Sequence, residues 1–193
     1  MAVALEARAH RDDILIGDSP KALRRRNRLR GLTARGRIWK HATLSDIDGI
    51  VTPAQIDTML CFCLVRNPWD RMVSYYHWLR DQSFDHPAVA LARHTDFGGF
   101  LSDPANRASI AAWPYGRYMR DATGREKADL FVRLEHLEQD MAPLAAHLGF
   151  VPVLPHVNRS ERASGYRGYY DASTRAIVAD ICAADIARFG YSF

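Results

Sequence analysis

Met59–Leu79 reads MLCFCLVRNPWDRMVSYYHWL, and its reading decides the fold. The run Met59–Val65 is seven apolar residues without Gly or Pro. Such a run predicts a central strand covered on both faces, as in a parallel sheet. Arg66 then places a permanent charge at the strand's carboxyl end, where open α/β sheets bind ligands. Asn67 is a favourable N-cap, Pro68 suits the first helical position, and Asp70 sits three residues after the cap as in a capping box. An arginine in front of a helix N-terminus is an anion site in outline: free N–H groups, the positive end of the dipole and a guanidinium fork.

The predicted helix has two faces. Met72, Val73, Tyr76 and Leu79 form an apolar stripe at helical spacing, and Arg71, Ser74, Tyr75 and Trp78 form a more polar and aromatic one. Helical side chains lean toward the N-terminus, so Ser74 is able to reach back toward an anion held by Arg66. The competing structural reading pairs Arg66 with a carboxylate such as Asp70 and leaves Ser74 facing solvent.

Upstream, Ala2–Ala9 favours helix without a preceding cap or strand, as if the chain began inside a helix. Ile14-Leu15-Ile16 reads as a short strand before the turn signal Gly17-Asp18-Ser19-Pro20. Ser45 with Asp48 reads as a short capped helix, and Thr52-Pro53-Ala54-Gln55 as a capping box leading into the central strand. Downstream, residues 81–125 are broken by Pro and Gly and read as several short helices, with starts near Pro87 and Thr95. Asp129–Leu134 reads as a second buried strand. Asp140 is expected to cap a helix that Gly149 ends. A polar loop rich in Arg, Tyr and Gly runs from His156 to Tyr170, and a last helix is expected over about Ser173 to Arg188.

The 193 residues are 48% apolar, which fits one globular domain spanning 1–193 and excludes a disordered chain. No apolar run reaches the length of a membrane span and no signal peptide opens the sequence, so the expected location is cytoplasmic. Three cysteines without a C-x-x-C pair predict core packing and no metal. The net charge of +4 hides an asymmetry: Lys21–Lys40 holds nine of the 26 basic residues and no acidic one. That segment reads as a basic helix or a solvated loop, and it implies a polyanionic partner if it is not merely solvated.

The string Val65-Arg66-Asn67-Pro68-Trp69-Asp70-Arg71-Met72-Val73-Ser74-Tyr75-Tyr76 resembles the 3′-phosphate-binding motif of sulfotransferases that use 3′-phosphoadenylyl sulfate (PAPS). It is most similar to the bacterial relatives of the carbohydrate sulfotransferases. Looser similarity continues in Trp39-Lys40-His41-Ala42-Thr43, in Phe131–Leu137, in Asn158–Tyr170 and in the Phe189-Gly190-Tyr191 ending. The resemblance implies an α/β fold: a three-layer sandwich with a mainly parallel sheet, of the P-loop nucleotide-kinase type. It implies transfer of a sulfuryl group from PAPS to an acceptor hydroxyl, on a carbohydrate, with Arg66 and Ser74 clamping the nucleotide's 3′-phosphate. Such a transfer is largely a matter of positioning and electrostatics.

His41 is the candidate general base, since histidine titrates near neutrality; its structural alternative is a ring that caps the next helix or packs beside Trp39. Lys40 is placed to contact donor or acceptor, or simply belongs to the basic segment. Arg162 and Arg167 fall in the loop that closes over the nucleotide in the resembled family, and a solvated loop accounts for them equally well. One departure stands out. The resembled family opens on a strand and a phosphate loop of the type Pro-Lys-Thr-Gly-Gly-Thr, and no such stretch occurs in 1–193. The fold is therefore expected to be N-terminally shortened. Weak or no turnover is expected, with binding of adenosine 3′,5′-bisphosphate retained. The other readings are a nucleic-acid-binding protein using residues 21–40 and a non-catalytic nucleotide-binding relative.

Overall fold

The computed structural model describes residues 1–154 and 165–193. Helices α1 (Ala2–Glu6), α2 (Pro20–Arg25) and α3 (Pro53–Ile56) precede strand β1 (Phe62–Val65). Then come α4 (Pro68–Arg80), α5 (Pro87–His94), α6 (Phe97–Ser102), α7 (Pro104–Ala111) and α8 (Tyr115–Tyr118). Strand β2 (Leu130–Arg133) is followed by α9 (Leu137–Asp140), α10 (Ala142–Leu148), α11 (Ala172–Ile181) and α12 (Ala183–Phe189). About half the residues are helical, and β1 and β2 pair as a small two-stranded parallel sheet, an α/β arrangement. Among the described residues no helix is long and apolar enough to cross a membrane.

The described residues fall into two compact units. The first comprises Met1–Leu64, Tyr115–Val132 and residues 136–154; the second comprises Val65–Pro114, Arg133–Glu135 and residues 165–193. Each strand gives its last residue, Val65 or Arg133, to the second unit.

In the first unit, β1 is shorter than its apolar run. Met59 donates its N–H to the Ile56 carbonyl at 3.0 Å and is 50% exposed, so the run begins as the end of the α3 turn. Phe62, Cys63 and Leu64 are only half-buried, so the strand is not covered on both faces as its apolarity implied. The Cys61 N–H donates to Asp129 Oδ2 at 2.7 Å, and the Cys61 carbonyl accepts from the Asp129 N–H at 2.8 Å. β2 likewise stops at Arg133, and the exposed Leu134 opens a 3₁₀ turn.

Other local expectations sort by the chemistry of the cap. Thr52 and Gln55 close the reciprocal box that starts α3, as their spacing requires. The Ser45–Asp48 helix does not form. Thr43 and Asp46 bond each other reciprocally instead, and residues 44–51 stay as turns. Ile14-Leu15-Ile16 forms no strand; Ile14 is exposed, and among the described residues no strand pairs with it. Asp140 ends α9 rather than capping α10: Met141 keeps helical dihedrals, so the chain enters α10 without the extended residue a side-chain cap needs. Gly149 ends α10 in the left-handed conformation. Gly49 is required twice over, by its φ of +94° and by the Thr33 carbonyl oxygen, 2.4 Å from where a Cβ would lie.

The second unit holds the clearest core. The apolar stripe of α4 is buried as its spacing predicts, with Met72, Val73, Tyr76 and Leu79 each at most 4% exposed. It packs with Val89 and Ala92 of α5, Phe100 and Leu101 of α6, and Val178 of α11. Asp171, bonded reciprocally to Thr174, starts α11 just ahead of the expected Ser173. The single expected last helix is two, because Cys182 (φ −112°, ψ 17°) leaves the helical region between α11 and α12.

Candidate functional site

The turn between β1 and α4 is built around Asn67, which is 8% exposed. Its side-chain oxygen accepts from the Trp69 N–H at 3.1 Å, the N-cap role expected of it. Its other groups are engaged as well. The Asn67 N–H donates to Glu135 Oε1 at 2.6 Å, Nδ2 donates to the Ser192 carbonyl at 2.9 Å, and the Asn67 carbonyl accepts from the Arg71 N–H at 2.8 Å. Pro68 has no N–H to offer. The turn therefore uses the N–H groups of Asn67 and Trp69 internally.

Asp70 does not close a capping box. Its Oδ2 accepts from Arg66 Nε and Nη2, each at 2.6 Å, across the first turn of α4. The two side chains are 24% and 22% exposed, so the pair is largely sheltered from solvent. The carboxylate engages one edge of the guanidinium, and the Nη1–Nη2 edge points away from it. Asp70 and Ser74 are four residues apart on one face of α4, and Arg66, just before the helix, reaches that face through its pair with Asp70. Ser74 is half-buried, one turn or about 6 Å along the axis from Asp70. Asp70 thus stands between the two proposed phosphate ligands in sequence, bonded to one and one helical turn before the other.

The first turn of α4 is held by residues that sequence reading did not single out. Tyr170 donates its hydroxyl to the Trp69 carbonyl at 2.8 Å, and burial pushes that phenol's pKa well above its ordinary value. Trp69 Nε1 donates to the Arg175 carbonyl at 3.1 Å. The Phe193 ring meets Trp69, Tyr166 and Tyr170 edge-on at centroid distances of 5.4–5.7 Å, under the Arg175 guanidinium at 4.6 Å. Arg167 is exposed, lies 5.7 Å from the Tyr166 ring and donates from Nη2 to the Phe193 carbonyl at 3.2 Å. Arg162 lies outside the described residues.

His41 and Lys40 belong to the first unit, whereas Arg66, Ser74 and Arg167 belong to the second. The His41 ring meets Trp39 edge-on at 4.7 Å, the packing that was its structural alternative. The residue is exposed, yet the surroundings of its ring and the Lys40 charge hold its pKa below the ordinary histidine value, with Asp18 opposing them. Lys40 Nζ pairs with Asp18 Oδ2 at 2.8 Å, and that bond lowers the Asp18 pKa. The basic segment is partly committed to the fold. Lys21 donates to the Glu6 and Ala9 carbonyls, Arg25 to His10 and Asp13, and Arg28 to Arg11. Three of its cations therefore close the carbonyl ends of α1 and the turn beyond it, as cations at a helix C-terminus do.

The cysteines are free thiols, with Cys61 and Cys63 half-buried and Cys182 buried. Burial raises the Cys182 pKa to about 11, so this sulfur is a packing group at neutral pH. Among the described residues no group of three or more His, Cys, Asp or Glu side chains is placed to hold a metal ion. No protein-family model, curated protein or solved structure matches the chain.

Proposed function

We propose that the β1–α4 turn binds the 3′-phosphate of a 3′-phosphoadenosine nucleotide, and that the chain serves sulfuryl transfer from PAPS to an acceptor hydroxyl on a carbohydrate. The observation that supports this most is the half-buried Arg66 at the carboxyl end of β1, paired with Asp70, which shares a face of α4 with Ser74. A guanidinium edge, a hydroxyl and a helix dipole are the chemistry a phosphate monoester dianion requires. The Nη1–Nη2 edge would take two phosphate oxygens, and the Ser74 hydroxyl would donate to the third. His41, neutral at physiological pH, is the proposed acceptor of the hydroxyl proton, and Arg162 and Arg167 are proposed to add charge around the nucleotide. The fuller architecture proposed with this activity is the three-layer, P-loop-like sandwich of the resembled family, in a cytoplasmic protein.

Nucleotide binding is the step that tests this reading most directly. Calorimetric titration with adenosine 3′,5′-bisphosphate should give saturable binding, weakened about thirtyfold or more in Arg66→Ala and about fivefold in Ser74→Ala. Adenosine 5′-monophosphate should bind much more weakly than the bisphosphate. Equal affinity for the two nucleotides would remove the 3′-phosphate reading. Tight, steeply salt-dependent binding of a DNA or RNA oligonucleotide, insensitive to Arg66→Ala, would favour the nucleic-acid reading instead.

A further inference from the structure

Glu135 is a polar residue at the turn to which no part of the proposed phosphate contact assigns a role. It follows β2 by two residues, as Asn67 follows β1 by two. The sheet sets this correspondence. Cys61 and Asp129, before the strands, are 68 residues apart and hydrogen-bonded, and Asn67 and Glu135, after them, are 68 apart and hydrogen-bonded. Parallel pairing thus delivers the Glu135 carboxylate to the Asn67 N–H.

We propose that Glu135 is a positioning residue for Arg66, an inference that rests on reading Arg66 as the phosphate ligand. The Asn67 N–H and the Arg66 carbonyl belong to one planar peptide group, so the 2.6 Å bond to Glu135 Oε1 fixes the backbone torsion from which Arg66 projects. The other carboxylate oxygen accepts from the Tyr191 hydroxyl at 3.2 Å, which orients Glu135 in turn. Arg66 is then held at both ends: its backbone by Glu135 and its guanidinium by Asp70. Two-point recognition of a phosphate needs that fork placed within a fraction of an ångström, which a supporting carboxylate in the turn after the neighbouring strand provides. The arrangement has an electrostatic drawback. A negative charge at the head of α4 repels the anion that Arg66 is placed to bind. Orientation and charge therefore act in opposite directions at Glu135, and the amide substitution separates them.

The test compares Glu135→Gln with Glu135→Ala. The glutamine variant carries no charge, but its amide oxygen can still accept from the Asn67 N–H. Glu135→Gln should bind adenosine 3′,5′-bisphosphate within about threefold of wild type, and Glu135→Ala about tenfold more weakly, the order of one lost charge-assisted hydrogen bond. Tyr191→Phe, a milder change, should weaken binding about twofold with the fold intact. Ligand-free NMR provides a readout that is independent of the nucleotide. In Glu135→Ala the Asn67 amide should exchange at least about tenfold faster and the Arg66 Nε–H resonance should shift or broaden, while Glu135→Gln keeps both. If the wild-type protein does not bind the bisphosphate, the reading of Arg66 as a phosphate ligand falls, and the two resonances alone decide whether Glu135 orders the turn. An unchanged Arg66 Nε–H resonance in Glu135→Ala, or unchanged affinity alongside a lowered melting temperature, would overturn the proposal.

Discussion

Asp70 Oδ2 accepts from both Arg66 Nε and Arg66 Nη2 at 2.6 Å, so the residue that follows β1 already carries a carboxylate across the first turn of α4. A phosphate bound at Arg66 and Ser74 would lie beside that carboxylate. Asp70→Asn removes the charge and keeps one acceptor for the guanidinium. It should lower stability by about 1 kcal/mol, because the partly sheltered ion pair becomes an ordinary hydrogen bond. It should also tighten binding of adenosine 3′,5′-bisphosphate about threefold at low ionic strength, through the lost repulsion. The gain should shrink as salt is added. Chemical denaturation and calorimetry at two salt concentrations measure both effects. Weaker binding in Asp70→Asn would show that the orientation of Arg66 outweighs the repulsion.

Asn67 is matched to its site by having a donor and an acceptor on one side chain. Asn67→Asp keeps the acceptor for the Trp69 N–H and is still a good N-cap. It also sets a carboxylate oxygen against the Ser192 carbonyl, close to Glu135. The substitution should destabilise by about 1–3 kcal/mol at neutral pH. Both neighbours raise the pKa of the introduced carboxylate in the folded state. The loss should therefore be recovered as pH falls through the carboxylate range and be complete above it. Urea denaturation midpoints at pH 4 and pH 7 test this: the deficit relative to wild type should be smaller at pH 4.

Tyr170 ties the far side of the same turn to the chain near α11. Tyr170→Phe leaves the Trp69 carbonyl without its hydroxyl donor and should cost about 1–2 kcal/mol at neutral pH. The wild-type side chain also has an alkaline signature. Its folded-state pKa is raised by burial, so from pH 10 upward the unfolded chain ionises while the folded phenol does not. Its contribution to stability is present below pH 10 and declines above it. Denaturation midpoints at pH 9, 10 and 11 should show wild type losing stability faster than Tyr170→Phe. Parallel curves would place the alkaline loss elsewhere.

These residues also show what could be read from the sequence. The α4 stripe, the Asn67 cap, the Thr52 box and the Gly149 stop were legible, because each depends on neighbours within a turn or two of helix. The Arg66–Asp70 pair was legible as an alternative for the same reason. Glu135, Ser192, Tyr170 and Arg175 were not: they reach the turn from 68 to 125 residues away, and no local pattern encodes such contacts. The length of β1 was misread because apolarity does not separate a paired strand from the turn that feeds it. Met59 is as apolar as Val65, yet it is 50% exposed where Val65 is 1%. Cys182, a small apolar residue within a helical stripe, gave no sign of the break it makes between α11 and α12.

His41 offers a test within the first unit that needs no ligand. The surroundings of its ring and the neighbouring Lys40 lower its pKa, and Asp18 partly offsets them. An NMR titration should place its midpoint below 6.5. Lys40→Met removes a repulsion and frees Asp18 from its ion pair, so the midpoint should rise. Asp18→Asn removes the one attraction and frees Lys40, so it should fall further. The sign for stability follows. The unfolded chain takes up the proton near 6.5 while the folded ring stays neutral to lower pH, so stability should decline as pH drops through that window and recover above it. His41→Gln should flatten the decline. The same depressed pKa keeps the imidazole neutral at pH 7, the form that a proton-accepting role demands. A midpoint above 6.5, or one that Lys40→Met lowers, would show that charge and burial around His41 act in the opposite sense and would remove the electrostatic support for His41 as a base.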